Sequence, residues 1–183
     1  MTGTQKLSPL VRELGSDIIY SLKDCYIFDF LNLPENHDER QLQKALINKM
    51  KDFILELGKD FSFVGEEYRL QIGNNDFWID LLFFHRGLQR LVAIELKAEK
   101  FTPGFLGQLN FYIEALNRDV KKENENPSIG ILLCRYKDDE VVEYALSSSM
   151  SPALVAAYQT QLPDKKLLRK KLHELFEANE KLK

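Results

Sequence analysis

Two apolar runs on either side of a candidate turn predict a β-hairpin in the middle of the chain. Residues 77–97 read FWIDLLFFHRGLQRLVAIELK, two apolar runs separated by Gly87 and Leu88. Glycine at the first position of a two-residue loop favours a type II′ turn, because it adopts a positive φ without steric cost. With these two residues as the loop, Arg86 pairs with Gln89, and this pair fixes the register of the hairpin.

The same register brings two acidic residues together. Asp80 lies opposite Glu95, and opposed side chains of a sheet have Cβ atoms roughly 4.5–5.5 Å apart. Like charges so close are destabilising, so a cation is expected between them, and Mg²⁺ commonly binds one or two carboxylates. Lys97 follows on the same face as Glu95, because strand side chains alternate. An E-x-K triplet alone is more often a salt-bridged strand edge, but the apolar flanks favour a metal site here.

A helix and a further strand are predicted before the hairpin. Residues 38–57 carry apolar side chains at spacings of three, four and seven, with Asp38 as N-cap and Gly58 as the residue that ends the helix. The segment FSFVGEEYRLQIG, residues 61–73, is rich in aromatic residues and predicts a strand, with a turn at Asn74-Asn75.

The pattern continues after the hairpin with a helix and two strands. Thr102 as N-cap and Pro103 at the first helical position predict a helix over residues 103–120. SIGILLCRY predicts a short buried strand, VVEYALSS fits a helix or a strand, and PALVAAYQTQL predicts a last strand. The apolar face of the helix consists of Phe105, Leu109, Tyr112, Ile113 and Leu116.

Composition restricts the function classes. A length of 183 residues suits one domain, and a net charge of −3 means that any basic surface for nucleic acid must be local. The two distant cysteines indicate a reducing compartment, and neither a signal peptide nor a long apolar stretch is present, so the sequence predicts a cytoplasmic protein without membrane contact. The scattered histidines do not indicate a zinc site. The sequence contains no glycine-rich phosphate-binding loop, so it does not predict binding of a nucleoside triphosphate.

At this point the residues resemble a known family. The helix, the β-meander with Asp80 and Glu95-x-Lys97, the next helix and the next strand are similar to the PD-(D/E)XK nuclease superfamily. The segments YIFDFLNLP, FVGEEYRLQIG, FWIDLLFFHR, LVAIELK, GQLNFYIEAL, NPSIGILLC and VVEYAL resemble the YhcG-like nuclease domain, from about residue 26 to about residue 163. The resemblance implies an α/β fold with a restriction-endonuclease-like αβββαβ core, a central mixed sheet flanked by helices.

The resemblance also implies an activity and a set of site residues. The activity is hydrolysis of phosphodiester bonds with Mg²⁺ or Mn²⁺, and the expected partner is nucleic acid, with DNA as the substrate. Asp80 and Glu95 would bind the metal together with the Leu96 carbonyl, and Lys97 would orient or activate the attacking water. Gln108 and Tyr112, four apart on one helical face, match an accessory position of the superfamily; for Tyr112 a place in the core is the competing interpretation.

One position departs from the family pattern. Superfamily members often carry an acidic metal ligand on the first helix, where this chain has Gln43. Glu39 lies one turn earlier and could replace it, or Gln43 could ligate through its amide oxygen. A weakened metal site is the third possibility, and it motivates the alternative function, a catalytically reduced module of nuclease fold that binds nucleic acid or a protein partner.

The chain is expected to have three parts. Residues 1–35 are expected to be a leader, which the resemblance would make the remainder of a helical upstream domain, and residues 36–163 the nuclease-like domain. Residues 164–183 are expected to form an amphipathic helix whose leucine stripe is a candidate homodimer contact and whose basic residues could contact phosphates, although a solvated face is the simpler interpretation. These basic residues are Lys165, Lys166, Arg169, Lys170 and Lys171.

Overall fold

A computed structural model describes residues 8–13 and 16–161 of the chain. The predicted amphipathic helix over residues 164–183 lies outside the described residues. The helices are α1 (Pro9–Glu13), α2 (Ser16–Ser21), α3 (Glu39–Asn48), α4 (Met50–Leu57), α5 (Phe105–Ala115) and α6 (Asp139–Ser147). The strands are β1 (Cys25–Ile27), β2 (Phe61–Ile72), β3 (Asn75–His85), β4 (Arg90–Lys100), β5 (Asn126–Tyr136) and β6 (Ala153–Gln159).

The strands form one mixed sheet in the order β1-β6-β5-β4-β3-β2. β2, β3 and β4 are antiparallel neighbours, whereas β5 and β6 continue the sheet in parallel with β4, and β1 is parallel to β6. The succession α3, β2-β3-β4, α5, β5 confirms the predicted αβββαβ core and the mixed sheet flanked by helices. Strand β1 lies within residues 1–35, so part of the predicted leader completes the sheet.

Two apolar layers cover the two faces of the sheet. The first joins α3 and α4 to the sheet through residues such as Leu42, Phe53 and Phe83, and we call it the α3 layer. The second joins α5 and α6 to the sheet through residues such as Leu109, Val142 and Leu132, and we call it the α5 layer. Both faces of the central strands are therefore buried, which explains their continuous apolar runs.

The predicted helix over residues 38–57 is interrupted. Asp38 caps α3 through a capping box with Gln41, as the N-cap prediction requires, and Gly58 ends α4 with a φ of 122°. Between them Lys49 has φ −117° and ψ 33°, outside the helical region, so α3 and α4 are two helices. The apolar periodicity runs through the interruption, because both helices pack on the same layer.

The turns of the meander differ from the predicted ones. The register Ile72–Asn75 makes Gly73 and Asn74 the loop between β2 and β3, instead of Asn74-Asn75, and Gly73 has a φ of 59°. Between β3 and β4, pairing ends at His85–Arg90, so the loop has four residues instead of the predicted two. Here Gln89, not Gly87, has the positive φ, of 53°, which excludes the predicted type II′ turn.

The later elements follow the prediction with shifted starts. α5 begins at Phe105 with Gly104 as N-cap, two residues after the predicted proline start, and a π-helical turn over Leu116–Val120 extends it. The ambiguous segment VVEYALSS is helical, in α6, and the two predicted strands are β5 and β6. Among the described residues, no helix is long and apolar enough to cross a membrane.

Candidate active site

The ladder between β3 and β4 stops where the two acidic residues begin. The register from His85–Arg90 to Leu81–Ile94 is the predicted one, and its continuation would pair Asp80 with Glu95. Instead of backbone pairing, the Asp80 N–H donates to Glu95 Oε1 at 3.3 Å, and the Leu96 N–H donates to Asp80 Oδ2 at 2.8 Å. Each carboxylate is thus held by the backbone of the opposite strand, and the two acids lie together as predicted.

β3 loses its regular alternation at Asp80. Ile79 lies in the α5 layer, Leu81 in the α3 layer and Leu82 again in the α5 layer, which a strict period of two does not allow. On the other side of β3, pairing with β2 skips the position between Glu66–Leu81 and Tyr68–Ile79, where Glu67 has a φ of 42°. Asp80 therefore occupies an irregular point of the sheet. The direction of its side chain is not set by the regular alternation of β3.

Burial raises the pKa values of both acids, and neighbouring negative charges raise them further. Glu95 is only 2% exposed, and its burial together with the charge of Asp80 raises its pKa to about 8, although the Asp80 N–H and Lys97 act in the opposite direction. The pKa of Asp80 is also raised, mainly by burial and further by the charges of Glu39 and Glu67. A positive charge placed between the two acids would reverse this effect.

Lys97 is positioned by α5. Its Nζ lies 5.2 Å from the centroid of the Phe105 ring, at the first residue of that helix, a distance at which an aromatic face attracts a cation. The charge of Lys97 lowers the pKa of both Asp80 and Glu95. The role of Phe105 was missed from the sequence, where it was assigned only to the apolar face of the helix.

Helix α3 brings the two candidate third ligands to the strands. Gln43 Nε2 donates to the Asp80 carbonyl at 2.9 Å, which leaves its amide oxygen for other partners. Glu39 Oε1 accepts from the Ala98 N–H at 3.3 Å, one residue beyond Lys97 on β4. Gln43 therefore contacts the first acid directly, whereas Glu39 is tied to the end of β4.

Helix α5 contributes a paired amide and phenol. Gln108 Nε2 donates to the Tyr112 hydroxyl at 2.9 Å, and this bond and the nearby backbone of Trp78 act to lower the pKa of that hydroxyl. Burial raises the pKa of Tyr112, and the charges of Glu95 and Asp80 raise it further. Tyr112 is 3% exposed and belongs to the α5 layer, so it lies in the core and beside the acids at the same time.

The donor set fits a divalent cation with few protein ligands. The described hydrogen bonds use Oδ2 of Asp80 and Oε1 of Glu95, so the second oxygen of each carboxylate is available. Among residues 8–13 and 16–161, no three His, Cys, Asp or Glu side chains are grouped so that they could hold a metal ion. Mg²⁺ needs no such group, since it keeps several waters and binds one or two carboxylates together with substrate oxygens.

Comparisons with known proteins give a family match for most of the chain. The family described as "YhcG PDDEXK nuclease domain" matches residues 19–173. The protein of Escherichia coli (strain K12) named "Putative nuclease YhcG" is 41% identical over 152 residues, which cover 83% of this chain and 40% of that protein. The chain thus spans well under half the length of this relative.

Two solved structures show a partial likeness. A repair endonuclease from Pyrococcus abyssi has a TM-score of 0.46 at 17% identity, covering 71% of this chain and 50% of that one. A complex of EndoMS with double-stranded DNA has a TM-score of 0.46 at 15% identity, covering 73% of this chain and 48% of that one.

Proposed function

The chain belongs to the family of YhcG PDDEXK nuclease domains, and we propose on that basis that it is a divalent-metal-dependent endonuclease that hydrolyses phosphodiester bonds of DNA. The observation that carries this proposal is the contact between Asp80 and Glu95, two acids held together by each other's strands. Burying two adjacent carboxylates is costly unless a cation binds them. PD-(D/E)XK nucleases generally use a divalent metal ion, and such an ion would be that cation.

We assign the metal to Asp80, Glu95 and the Leu96 carbonyl, with Mg²⁺ or Mn²⁺ as the ion. When bound, such an ion lowers the pKa of a water molecule and neutralises charge on a phosphoryl group. The two carboxylates need no large movement to bind it, because backbone donors from β3 and β4 already fix one oxygen of each.

We assign two roles to Lys97: it orients or activates the attacking water, and it stabilises the negative charge that develops on the phosphoryl group. Its ammonium group is a compact donor whose charge acts on both acids, and the Phe105 ring beneath it restricts the direction in which it points. A positive charge held there stabilises the negative charge that builds up on the phosphoryl oxygens.

Gln108 and Tyr112 are assigned to the orientation of the phosphate. The Tyr112 hydroxyl accepts from Gln108, so its own proton is free to be donated. Its raised pKa keeps that proton in place at neutral pH. Tyr112 can therefore donate to a phosphate oxygen without carrying charge itself.

Cleavage of plasmid DNA tests the proposal. The wild-type protein should cut in Mg²⁺ or Mn²⁺ and not in EDTA, and Asp80→Asn should lose at least about a hundredfold of the rate. Asp119→Asn, at an exposed position on the π-helical turn, is the matched control and should cut normally. Equal cleavage by the wild type and Asp80→Asn would refute the site, and cleavage of RNA but not DNA would refute the substrate.

A catalytically reduced module is the second candidate function. It is favoured by Gln43, which donates to the Asp80 carbonyl at the position where relatives of the superfamily often carry an acid. Calorimetric titration with Mn²⁺ separates the two candidates, because a site that takes up no Mn²⁺ at millimolar concentration cannot support metal-dependent hydrolysis. Binding of nucleic acid without metal uptake or cleavage would establish the second candidate.

A further inference from the structure

A cavity of about 580 Å³ opens at the carboxyl ends of β5 and β6. Its walls come from Leu33 and Glu35 in the segment after β1, from residues 135–137 at the end of β5, and from residues 157–161 at the end of β6. This volume lies within the range of about 300–1,000 Å³ that is usual for small-molecule sites. The candidate active-site residues are not among those that line it, so the cavity is a separate feature of the molecule.

The connections of the sheet diverge around this cavity. β6 lies between β1 and β5, and the three strands are parallel. The chain that leaves β1 continues to α3 on one face of the sheet, whereas the chain that leaves β5 continues to α6 on the other face. Ligands of parallel sheets bind in the crevice at the carboxyl ends of the strands where neighbouring connections turn to opposite faces. The topology therefore places this cavity where a ligand site is expected.

Arg135 brings an uncompensated positive charge to the cavity. Its Nη1 donates to the Glu35 carbonyl, a group without net charge, which leaves the other donors of the guanidinium available. In the part of the chain that the structure describes, no ion pair involves Arg135. Lys137, in contrast, is bound by Asp24 at 2.9 Å and by Asp139, and its side chain is only 6% exposed. An anion in the cavity would therefore bind Arg135, whose planar guanidinium matches two phosphate oxygens at once.

The Tyr136 ring lies beside this guanidinium. Arg135 Cζ is 5.5 Å from the ring centroid, and Tyr136 is 58% exposed. Neighbouring residues of a strand point to opposite faces, but β5 ends at Tyr136, and both residues line the cavity. The contact restricts the guanidinium, and the exposed ring offers a surface on which a planar group can stack.

Hydrogen bonds hold the opposite wall in place. The hydroxyl of Tyr158, which is 2% exposed, lies 2.8 Å from His37 Nε2, and His37 Nδ1 lies 2.9 Å from the Pro34 carbonyl. Because a carbonyl only accepts, Nδ1 donates to Pro34, and in the neutral ring Nε2 accepts from the Tyr158 hydroxyl. These bonds tie the segment after β1, which carries Glu35, to the end of β6. A wall fixed in this way loses little conformational entropy when a ligand binds.

We propose that the cavity binds a nucleotide, with Arg135 on its phosphate group and Tyr136 against its base. The end of β6 adds polar groups for the sugar and the base edge, from Gln159, Thr160 and Gln161. A phosphate ion alone would leave the ring and these groups unused, and a nucleoside alone would leave the guanidinium without an anion. This ligand site goes beyond the proposed nuclease function and does not depend on it. A free nucleotide and the phosphorylated end of a nucleic acid strand present the same chemistry.

Calorimetric titration of the intact chain in EDTA tests the site without cleavage. The probes are AMP, GMP and thymidine 5′-monophosphate, their nucleosides, inorganic phosphate, and decathymidylate with and without a 5′-phosphate. We expect one-site binding of at least one monophosphate with a Kd below about 1 mM. Inorganic phosphate and the matching nucleoside should each bind at least about tenfold more weakly, because each makes only part of the contacts.

Substitutions test the two assigned residues. Arg135→Gln should weaken monophosphate binding about 10- to 100-fold, and Arg135→Lys should keep part of the affinity. Tyr136→Ala should weaken it about 5- to 100-fold, the range for loss of one stacked base, and Tyr136→Phe should bind like the wild type. Glu35→Gln keeps the carbonyl that holds Arg135 and removes a negative charge, so it should bind at least as tightly as the wild type.

The matched control is Arg118→Gln, which changes an exposed arginine on the π-helical turn. It should bind every probe like the wild type. Thermal unfolding of each variant verifies that the fold is retained, and the conservative variants Arg135→Lys and Tyr136→Phe keep the test valid if a larger change prevents folding.

The probes also separate the two sources of a nucleotide. Binding of monophosphates that depends on Arg135 would identify a free nucleotide, and binding that depends on Arg135 and on the 5′-phosphate of decathymidylate would identify a strand end; either supports the proposal. Equal affinity for inorganic phosphate and the monophosphates, or monophosphate binding that Arg135→Gln and Tyr136→Ala leave unchanged, would overturn it. Absence of saturable binding of every probe up to about 10 mM would overturn it as well. Neither negative result would change the expected cleavage of DNA.

Discussion

The backbone N–H of Asp80 donates a hydrogen bond to Glu95 Oε1 at 3.3 Å, across the point where β3 and β4 stop pairing. This bond holds two acidic side chains together although their charges repel. The folded sheet therefore holds the two carboxylates together against their repulsion. This repulsion lowers the free energy of unfolding of the protein.

The pH dependence of stability should reveal that cost. The pKa of Glu95 in the folded protein is about 8, above its ordinary value of 4.5, so the folded state binds a proton that the unfolded state has released between these two values. Stability then falls as pH rises from about 4.5 to about 8. We expect metal-free wild type to lose about 1–3 kcal/mol relative to Glu95→Gln over this interval, measured by urea denaturation in EDTA.

The matched control for this series is Glu123→Gln, at an exposed position before β5. It should follow the wild type at every pH, because its carboxyl group is in solvent. A constant difference between the wild type and Glu95→Gln from pH 5 to pH 8 would contradict the raised pKa. Saturating Mg²⁺ should remove most of the pH dependence, since a bound cation favours the ionised acid.

Lys97→Ala should lower kcat without unfolding the protein. The ammonium group lowers the pKa of both acids, so its loss raises them further and shifts the acidic limb of the pH–rate profile upward. We expect a loss of about 10²–10⁴ in kcat, the usual range for a group that assists proton transfer. Initial rates of DNA cleavage between pH 6 and 9 measure both effects.

Two further lysine variants make this result specific. Lys97→Arg should restore little activity, because the planar guanidinium cannot replace a compact ammonium over the Phe105 ring. Lys100→Ala changes an exposed lysine on the same strand and should retain the wild-type kcat. A similar loss in both alanine variants would indicate a general electrostatic effect instead of a role for Lys97.

Gln43→Glu tests the departure from the family pattern. The new carboxylate can no longer donate to the Asp80 carbonyl, which Gln43 does at 2.9 Å, and it adds a third negative charge. Without metal we expect a loss of about 1–3 kcal/mol in the free energy of unfolding. Mn²⁺ should then bind more tightly and stabilise the variant more than the wild type, as calorimetry and thermal unfolding would show.

Glu39→Gln completes this comparison. If Glu39 serves as the third ligand, the neutral variant should bind Mn²⁺ more weakly while keeping its contact with the Ala98 N–H through the amide oxygen. Unchanged Mn²⁺ affinity in Gln43→Glu together with weakened affinity in Glu39→Gln would assign the third position to Glu39. The reverse pattern would assign it to position 43.

Local rules explain what the sequence predicted correctly. The register of β3 and β4 follows from the place of the loop at Gly87 and Leu88, because the loop of a hairpin fixes which residues pair. The four-residue loop keeps the same register as the predicted two-residue loop, so the pairing was right although the turn type was wrong. Asp38 was found because an aspartate directly before an apolar helical pattern is a local N-cap signal.

The features that were missed depend on contacts between distant parts of the chain. The interruption at Lys49 leaves the apolar periodicity intact, so no local signal marks it. The contact of Gln43 with the Asp80 carbonyl joins residues 37 positions apart. The irregular point at Asp80 arises from three strands at once, and pairwise register arithmetic cannot produce it.

Gly130 should control the position of the helix that carries Gln108 and Tyr112. A Cβ at Gly130 on β5 would lie 2.7 Å from side-chain atoms of Leu109 and Ile113, so α5 packs directly on this backbone. Gly130→Ala should push α5 away from the sheet and cost about 1–3 kcal/mol. It should also lower kcat, because α5 positions Tyr112 beside the acids.

Gly107→Ala is the matched control, on α5 itself. A Cβ at Gly107 would meet no atom within 4 Å, and alanine is the better helix former, so this variant should gain about 0.5–1 kcal/mol. Thermal unfolding and DNA cleavage of the two variants would measure stability and activity side by side. Equal stability of Gly130→Ala and the wild type would show that α5 can shift without cost, and its position could then not explain the geometry of Gln108 and Tyr112.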